Sequence, residues 1–296
     1  MQPLSRTAAF ACAAAALIAF SGNSLLARVA LGGGHIDAAT FTLVRLVSGA
    51  AVLLVLTALT RPPATLTAAA GRGWVPAAAL FAYAAAFSFA YLRLHAGTGA
   101  FILFGAVQVT MLVSAARSGE TLLPLQWLGF AIALAGLVYL VLPGLTAPPL
   151  SSAALMGIAG VSWGIYTLRG RRAASPLADT TINFVRAVPL AIVISILAAR
   201  QLHASPRGFL LAVVSGAVTS GLGYTVWYSA LRGLTATRAA VLQLAVPVLA
   251  AAGGVVFLME PVSLRLAVSA LFVIGGIALT LARPFRLTSG ARSAQR

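Results

Sequence analysis

Ten apolar windows divide this chain, at 7–30, 39–60, 73–94, 98–117, 123–143, 151–169, 178–200, 207–231, 237–258 and 264–283. At the helical rise of about 1.5 Å per residue, roughly 20 apolar residues match the hydrocarbon thickness of a bilayer. A chain inside that layer must satisfy its own backbone, which leaves helices or closed barrels. Barrel strands alternate polar and apolar residues, whereas these windows are continuously apolar. Composition agrees, with 60% hydrophobic residues, 8% charged ones and a mean hydropathy of +1.00. The expected fold class is an all-α membrane protein of ten transmembrane helices. The first window follows a single arginine, as a signal peptide would, but it is long enough to span and nine more follow it.

The net charge of +16 comes entirely from arginine. A basic chain can bind phosphate, but these arginines sit singly or in small knots between the windows, without a contiguous basic domain. They are better read as topology signals, because cytoplasmic loops carry the positive residues. With the N-terminus inside, the inner segments hold Arg6, Arg61, Arg72, Arg117, Arg169, Arg171, Arg172, Arg232, Arg238, Arg283, Arg286, Arg292 and Arg296, which is 13 of the 20. Both termini are therefore expected in the cytoplasm.

The chain also repeats itself. "FTLVRLVSGA" at 41–50 resembles "INFVRAVPLA" at 182–191, setting Arg45 against Arg186 at an offset of 141. Glu120 matches Glu260 at 140, and Thr98 matches Thr237 at 139. A steady offset divides the chain into 1–145 and 146–284, followed by a basic tail, 285–296. Each half carries five windows, an odd number, so the second half must cross the membrane in the opposite sense. Inverted repeats of this kind build many secondary transporters, with the solute site near the midplane between the halves.

The second half, from "WGIYTLRGRR" through "NFVRAVP" and "TSGLGYTVWYSALRGLTATRAAVLQLAVPVLAAAGGVVFLMEPVS", resembles the EamA-type repeat of the drug/metabolite transporter superfamily. In the first half, "FSGNSLLARVAL", "TFTLVRL" and "SGETL" fit the same pattern, with Phe20 where the family usually has a tryptophan. The resemblance covers about residues 7–283. It implies ten helices with both ends cytoplasmic. It also implies export of small metabolites across a bacterial inner membrane, through a cavity formed by the first four helices of each half. One branch of the family exports aromatic and other neutral amino acids.

The candidate pathway residues are those that could replace water around such a solute. Trp163 and Tyr166 share a helix face, and Trp163 lies near the midplane, about 18 Å along its helix. Tyr83 and Phe87, with Tyr91, form a stripe at every fourth residue, as do Tyr224 and Tyr228, and an aromatic, weakly charged cavity suits neutral or aromatic solutes. Asn23, Gln108 and Gln243 each donate and accept, as an amino acid's two charged groups require. Plain helix packing and interhelical bonding remain open for all of these. Pro247 and Pro189 each free a carbonyl four residues earlier and are expected to act in gating, or as static kinks. Arg45 and Arg186 are expected at the two mouths, where a charge must snorkel, pair or face water; there they either attract a substrate carboxylate or anchor the helix to neighbouring carbonyls.

Other chemistries lack their residues. Cys12 is alone, so neither a disulfide nor a cysteine metal motif is available. The acids Asp37, Glu120, Asp179 and Glu260 all fall at window ends, leaving no buried carboxylate for proton coupling. No P-loop is present, and no window clusters Ser, His and Asp, so an enzyme is not expected. Neither are a cofactor, a metal or a nucleic acid; the partners are a small-molecule solute and the lipid bilayer. Gly136, Gly275 and Gly276 permit close packing, either within a monomer or against another chain. The alternatives are transport of a phosphorylated, nucleotide-linked or drug-like solute, and a membrane scaffold that transports nothing.

Overall fold

Proline stands at the first or second position of five of the described helices, where its fixed φ suits the first turn and its missing N–H costs nothing. In the computed structural model, described for residues 6–71, 73–117, 120–121, 123–144, 147–170, 175–231, 242–243, 245–281 and 286–287, α1 is Arg6–Ala27, carried on by a π turn, Arg28–Gly32. Then follow α2 (Ala38–Thr60), α3 (Pro63–Ala70), α4 (Val75–Tyr91), α5 (Ala96–Arg117), α6 (Pro124–Val141), α7 (Leu150–Gly170) and α8 (Pro176–Leu197). α9 runs through Pro206–Val214, a π stretch Ser215–Leu222 and Gly223–Leu231. α10 is Ala245–Leu258 and α11 is Leu264–Leu281.

Seven of the described helices are long and apolar enough to cross a membrane: α1, α2, α5, α6, α7, α8 and α9. α3 and α4 together pass the same test but meet at 86°. α10 and α11 are shorter apolar helices. The short α3 was not expected from the windows. Its cause is Pro62-Pro63, which ends α2 and starts a new helix on the following residue. Arg72, Arg171, Arg172, Arg232, Arg238, Arg283, Arg292, Arg296 and Thr237 lie outside the described residues, as does the start of the expected window 237–258.

Side-chain and backbone ties join distant parts of the chain at the helix ends. Glu260 accepts from Arg28 Nε (2.8 Å) and from the Ala96 amide (2.8 Å). Asp37 caps α2 through the Thr40 amide (2.9 Å) and accepts from the His203 amide (2.8 Å). Burial pushes the Asp37 carboxyl up, but hydrogen bonds from Thr40, His203 and Ala39 outweigh it and hold the group below its ordinary value. At the other ends of their helices, Thr57 and Thr181 share a hydrogen bond of 2.8 Å. Glu120–Thr121 pairs antiparallel with Arg286–Leu287.

α6 packs along α11. Gly136 lies against the Ser269 carbonyl, and Gly276 against the Gly129 carbonyl, so a methyl group at either would meet backbone. These two glycines are therefore used within the chain. The large buried aromatics gather elsewhere, between α1, α4, α7 and α9.

Candidate functional site

The residues that end up together do so because glycine lets two crossings close. A Cβ at Gly216, in the π stretch of α9, would collide with the Arg45 carbonyl and Ser48 Oγ on α2. Across the same crossing, Gly49 lies against Phe184 and the Gly216 carbonyl. On α7, Gly160 lies against the Leu103 carbonyl and Gly164 against Thr110 of α5. Close approach of backbones is the usual service of small residues in membrane packing. Here it brings α2 onto α9, and α5 onto α7, with the aromatic rings of four helices between them.

Those rings enclose a cavity of about 10 Å³, lined by Phe20, Asn23, Ser24, Tyr83, Phe87, Leu103, Phe104, Trp163 and Tyr224. That is room for about one water molecule, so the cavity as it stands is too small for an organic solute. Trp163 stands at the middle, with ring centroids 4.9 Å from Tyr83, 4.7 Å from Tyr224 and 6.0 Å from Phe20. Edge and tilted contacts at these distances are the favourable aromatic geometries. The Trp163 indole is 4% exposed, and its N–H has no hydrogen-bond partner among the described residues.

Arg45 lies directly behind two of the lining residues. It is 1% exposed. Its Nη2 donates to Tyr83 Oη (3.0 Å) and Tyr224 Oη (3.2 Å), and its Nε donates to Ser220 Oγ (3.0 Å). The guanidinium carbon sits 5.1 Å from the Tyr83 ring centre and 4.9 Å from that of Phe87. Nη1 is buried without a partner. Arg45 is therefore buried where α2, α4 and α9 meet. Tyr83 and Tyr224 stand 141 residues apart, the same offset that aligns Arg45 with Arg186.

The other candidate residues disperse. Asn23 lines the cavity, and its Oδ1 accepts from Ser215 Oγ (2.7 Å) and Thr219 Oγ1 (3.1 Å) in the π stretch. Tyr166 is buried beside Trp163, with ring centres 5.5 Å apart, but does not line the cavity. Tyr228 is buried one turn beyond Tyr224, its hydroxyl against Gly170. Gln108 and Gln243 lie away from the lining, each with one buried amide atom lacking a partner among the described residues. Pro189 is inside α8 on an exposed face. Pro247 is buried in α10, just beyond Leu244, which is outside the described residues. Arg186 is half-buried on α8, donates to the Ala70 and Gly73 carbonyls beside the α3–α4 bend, and lies 5.0 Å from the Trp74 ring centre.

Phe20, Ser24, Phe104 and Ser220 join the site without having been expected there. Phe20 had a signal, since it stands at the tryptophan position of the family pattern. Ser220 lies inside the π stretch Ser215–Leu222, which re-phases side chains away from the simple helical pattern.

Comparison with known proteins agrees with this architecture. The model of the EamA-like transporter family matches residues 150–282. The uncharacterized protein PA1977 of Pseudomonas aeruginosa is 54% identical over 267 residues, which is 90% of this chain and 92% of that one. A solved crystal structure of another protein shares the fold, with a TM-score of 0.68 over 93% of this chain and 98% of its own, at 21% identity. The chain is thus a multi-pass helical membrane protein and belongs to the EamA-like transporter family.

Proposed function

We propose that this protein is a secondary transporter of ten spans, built as two inverted five-helix repeats. It exports small neutral solutes, aromatic amino acids first among them, across the bacterial inner membrane by alternating access. The observation that carries the reading is the aromatic cavity around Trp163, closed in this conformation and lined from α1, α4, α5, α7 and α9. A transporter must seal its site from both sides at some point in its cycle, and a packed cage of rings does so. Asn23 and the unpartnered Trp163 N–H supply polar handles in an otherwise apolar wall.

Two features support ten crossings. The first is parity. Arg28, Ala96 and Glu260 meet at one face, as do Asp37 and His203, Thr57 and Thr181, and Thr121 and Arg286. All four meetings are consistent if α1, α2 and α4 to α11 each cross once. Removing α4 or α10 alone would put Glu260 or Ala96 on the opposite side from Arg28. The second is exchange symmetry. α1 packs on α10 as α7 packs on α5, and α4 packs on α7 as α9 packs on α1. Gly136 faces position 269 and Gly276 faces position 129, a reciprocal contact at an offset of 140.

The test is uptake of a labelled amino-acid panel by purified protein in sealed liposomes, with no gradient imposed. Saturable uptake of aromatic or other neutral amino acids is the expected result. No uptake, with or without a proton gradient, would sink the amino-acid reading. Trp163→Ala should reduce uptake at unchanged expression; unaltered kinetics would return Trp163 to packing.

A further inference from the structure

We infer that Arg45 is an anion subsite of the central cavity, so that the transported solute carries a carboxylate beside its apolar body. The inference rests on the central-cavity reading and narrows it to one chemical class. A guanidinium at bilayer depth is costly and is ordinarily paired with an opposite charge or faces water. Arg45 is buried and has no counter-charge among the described residues. Its three bonded acceptors are hydroxyls, and no carboxylate among the described residues reaches it. The described acids near the ties are engaged elsewhere: Asp37 with two backbone amides, and Glu260 with Arg28 and the Ala96 amide.

The surroundings are those of a site and not of a structural anchor. An anchoring arginine would spend its donors on fixed carbonyls. Arg45 spends Nη2 on two tyrosine hydroxyls that themselves line the cavity and come from different helices, α4 and α9. Its Nη1 remains buried and unspent. The Trp163 N–H, which packs against both tyrosine rings, is likewise unspent. Two buried donors without acceptors, on two residues that both contact Tyr83 and Tyr224, are complementary to an acceptor-rich group. A carboxylate has two oxygens and about four acceptor positions and carries the missing counter-charge. When α4 and α9 separate to open the cavity, Tyr83 and Tyr224 part and uncover the guanidinium. Re-forming the Arg45–tyrosine bonds would then help to expel the anion.

Three ligands with one ring and closely related chains decide it. Phenylalanine has both charged groups, 3-phenylpropionate lacks the ammonium, and phenethylamine lacks the carboxylate. Binding to the purified protein is read from thermal shift and tryptophan emission. Both carboxylates should bind, and phenethylamine should bind at least about ten-fold more weakly, the scale of one charge-assisted contact. Arg45→Gln should lose about ten-fold or more for the carboxylates, and Arg45→Lys should recover part of it. Equal binding of phenethylamine and phenylalanine would overturn the subsite while leaving aromatic solutes in place. So would unchanged carboxylate affinity in a folded Arg45→Gln, or the absence of any carboxylate binding to the wild type. Arg45-dependent binding of hexanoate without binding of phenylalanine would keep the subsite and sink the aromatic amino-acid reading. Because the ligand series uses the wild-type protein, it decides the matter even if the variants fail to fold.

Discussion

Arg45 and Arg186 sit in matching sequence, FTLVRL and INFVRA, at the repeat offset of 141 residues, yet their fates differ. Arg45 lies at the centre, bonded to Tyr83 and Tyr224. Arg186 lies on the side of α8, against the Ala70 and Gly73 carbonyls and the Trp74 ring. Under the proposed inverted repeat, the difference follows from symmetry. Tyr83 and Tyr224 are themselves equivalents under the same offset, so the point between them lies near the proposed twofold axis. Two guanidiniums placed there would repel strongly in a low dielectric. One can hold the centre, and the other must leave. The backbone decides which. Gly216 lets α9 press on the Arg45 carbonyl, while α8 carries Pro189 three residues beyond Arg186 and keeps an open flank toward the α3–α4 bend.

The largest expected effect separates the two arginines by function. Arg45→Met should abolish uptake of a carboxylate solute, by at least about ten-fold. Its melting temperature should change little, because removal of a costly buried charge offsets the three hydroxyls left without its donors, at about 1–3 kcal/mol for an unsatisfied group. Arg186→Met should do the reverse. Uptake stays within about two-fold, and stability falls by about 0.5–1 kcal/mol as the contact with Trp74 is lost. Equal loss of uptake in both variants, measured in liposomes at matched protein, would erase the distinction.

Gly216→Ala comes next. Its new methyl group would meet the Arg45 carbonyl and Ser48 Oγ, neither of which is a flexible tip free to swing away. Overpacking of this kind costs about 1–3 kcal/mol, and the displaced α9 should carry Ser220 off the guanidinium. A smaller and more discriminating pair is Tyr83→Phe and Tyr224→Phe. Each deletes one acceptor of Arg45 Nη2, for a loss of about 1–3 kcal/mol. If the tyrosines are equivalent partners of one donor, the single variants should match and the double should fall short of their sum. Clearly unequal single losses in thermal denaturation would mean that the centre is not shared.

What the sequence made legible is what periodicity and offset carry. The apolar windows predicted where helices lie, and four-residue spacing brought Tyr83 and Phe87 to one face, where Phe87 packs on Tyr83 and Tyr83 meets Trp163. The spacing could not distinguish Tyr224, which lines the cavity, from Tyr228, which packs on Gly170 one turn away. Both lie on the same stripe, and only the crossing of α7 and α9 separates them. Gln108 and Gln243 show the same limit, since polarity at membrane depth does not fix the direction in which a side chain points. The burial of Arg45 was hidden for a deeper reason. Its local sequence is nearly that of Arg186, and what distinguishes them is a glycine 171 residues away, in a π stretch that apolar patterning does not register. The α3 helix was open to reading in Pro62-Pro63, a signal that the window boundaries passed over.

The smallest effect concerns how firmly α2 is held while it carries Arg45. Its first turn is capped by Asp37, which also takes the His203 amide of the α8–α9 connection; the cap position of α8, Ser175, makes no side-chain cap hydrogen bond. Because the native Asp37 carboxyl titrates below its ordinary value of 3.8, its contribution to stability is complete above that value. It is lost as the pH falls through the lower native value, where a proton displaces one of the two amides. Asp37→Asn carries one acceptor in place of two, turning an N–H toward either Thr40 or His203. It should therefore melt lower than the wild type at neutral pH, and the gap should narrow on acidification toward pH 3. A gap constant with pH would mean that the carboxylate charge is not what pins α2. The stillness of the α2 start would then have to come from packing alone, chiefly Ile36 and the bridge it forms with Ala204.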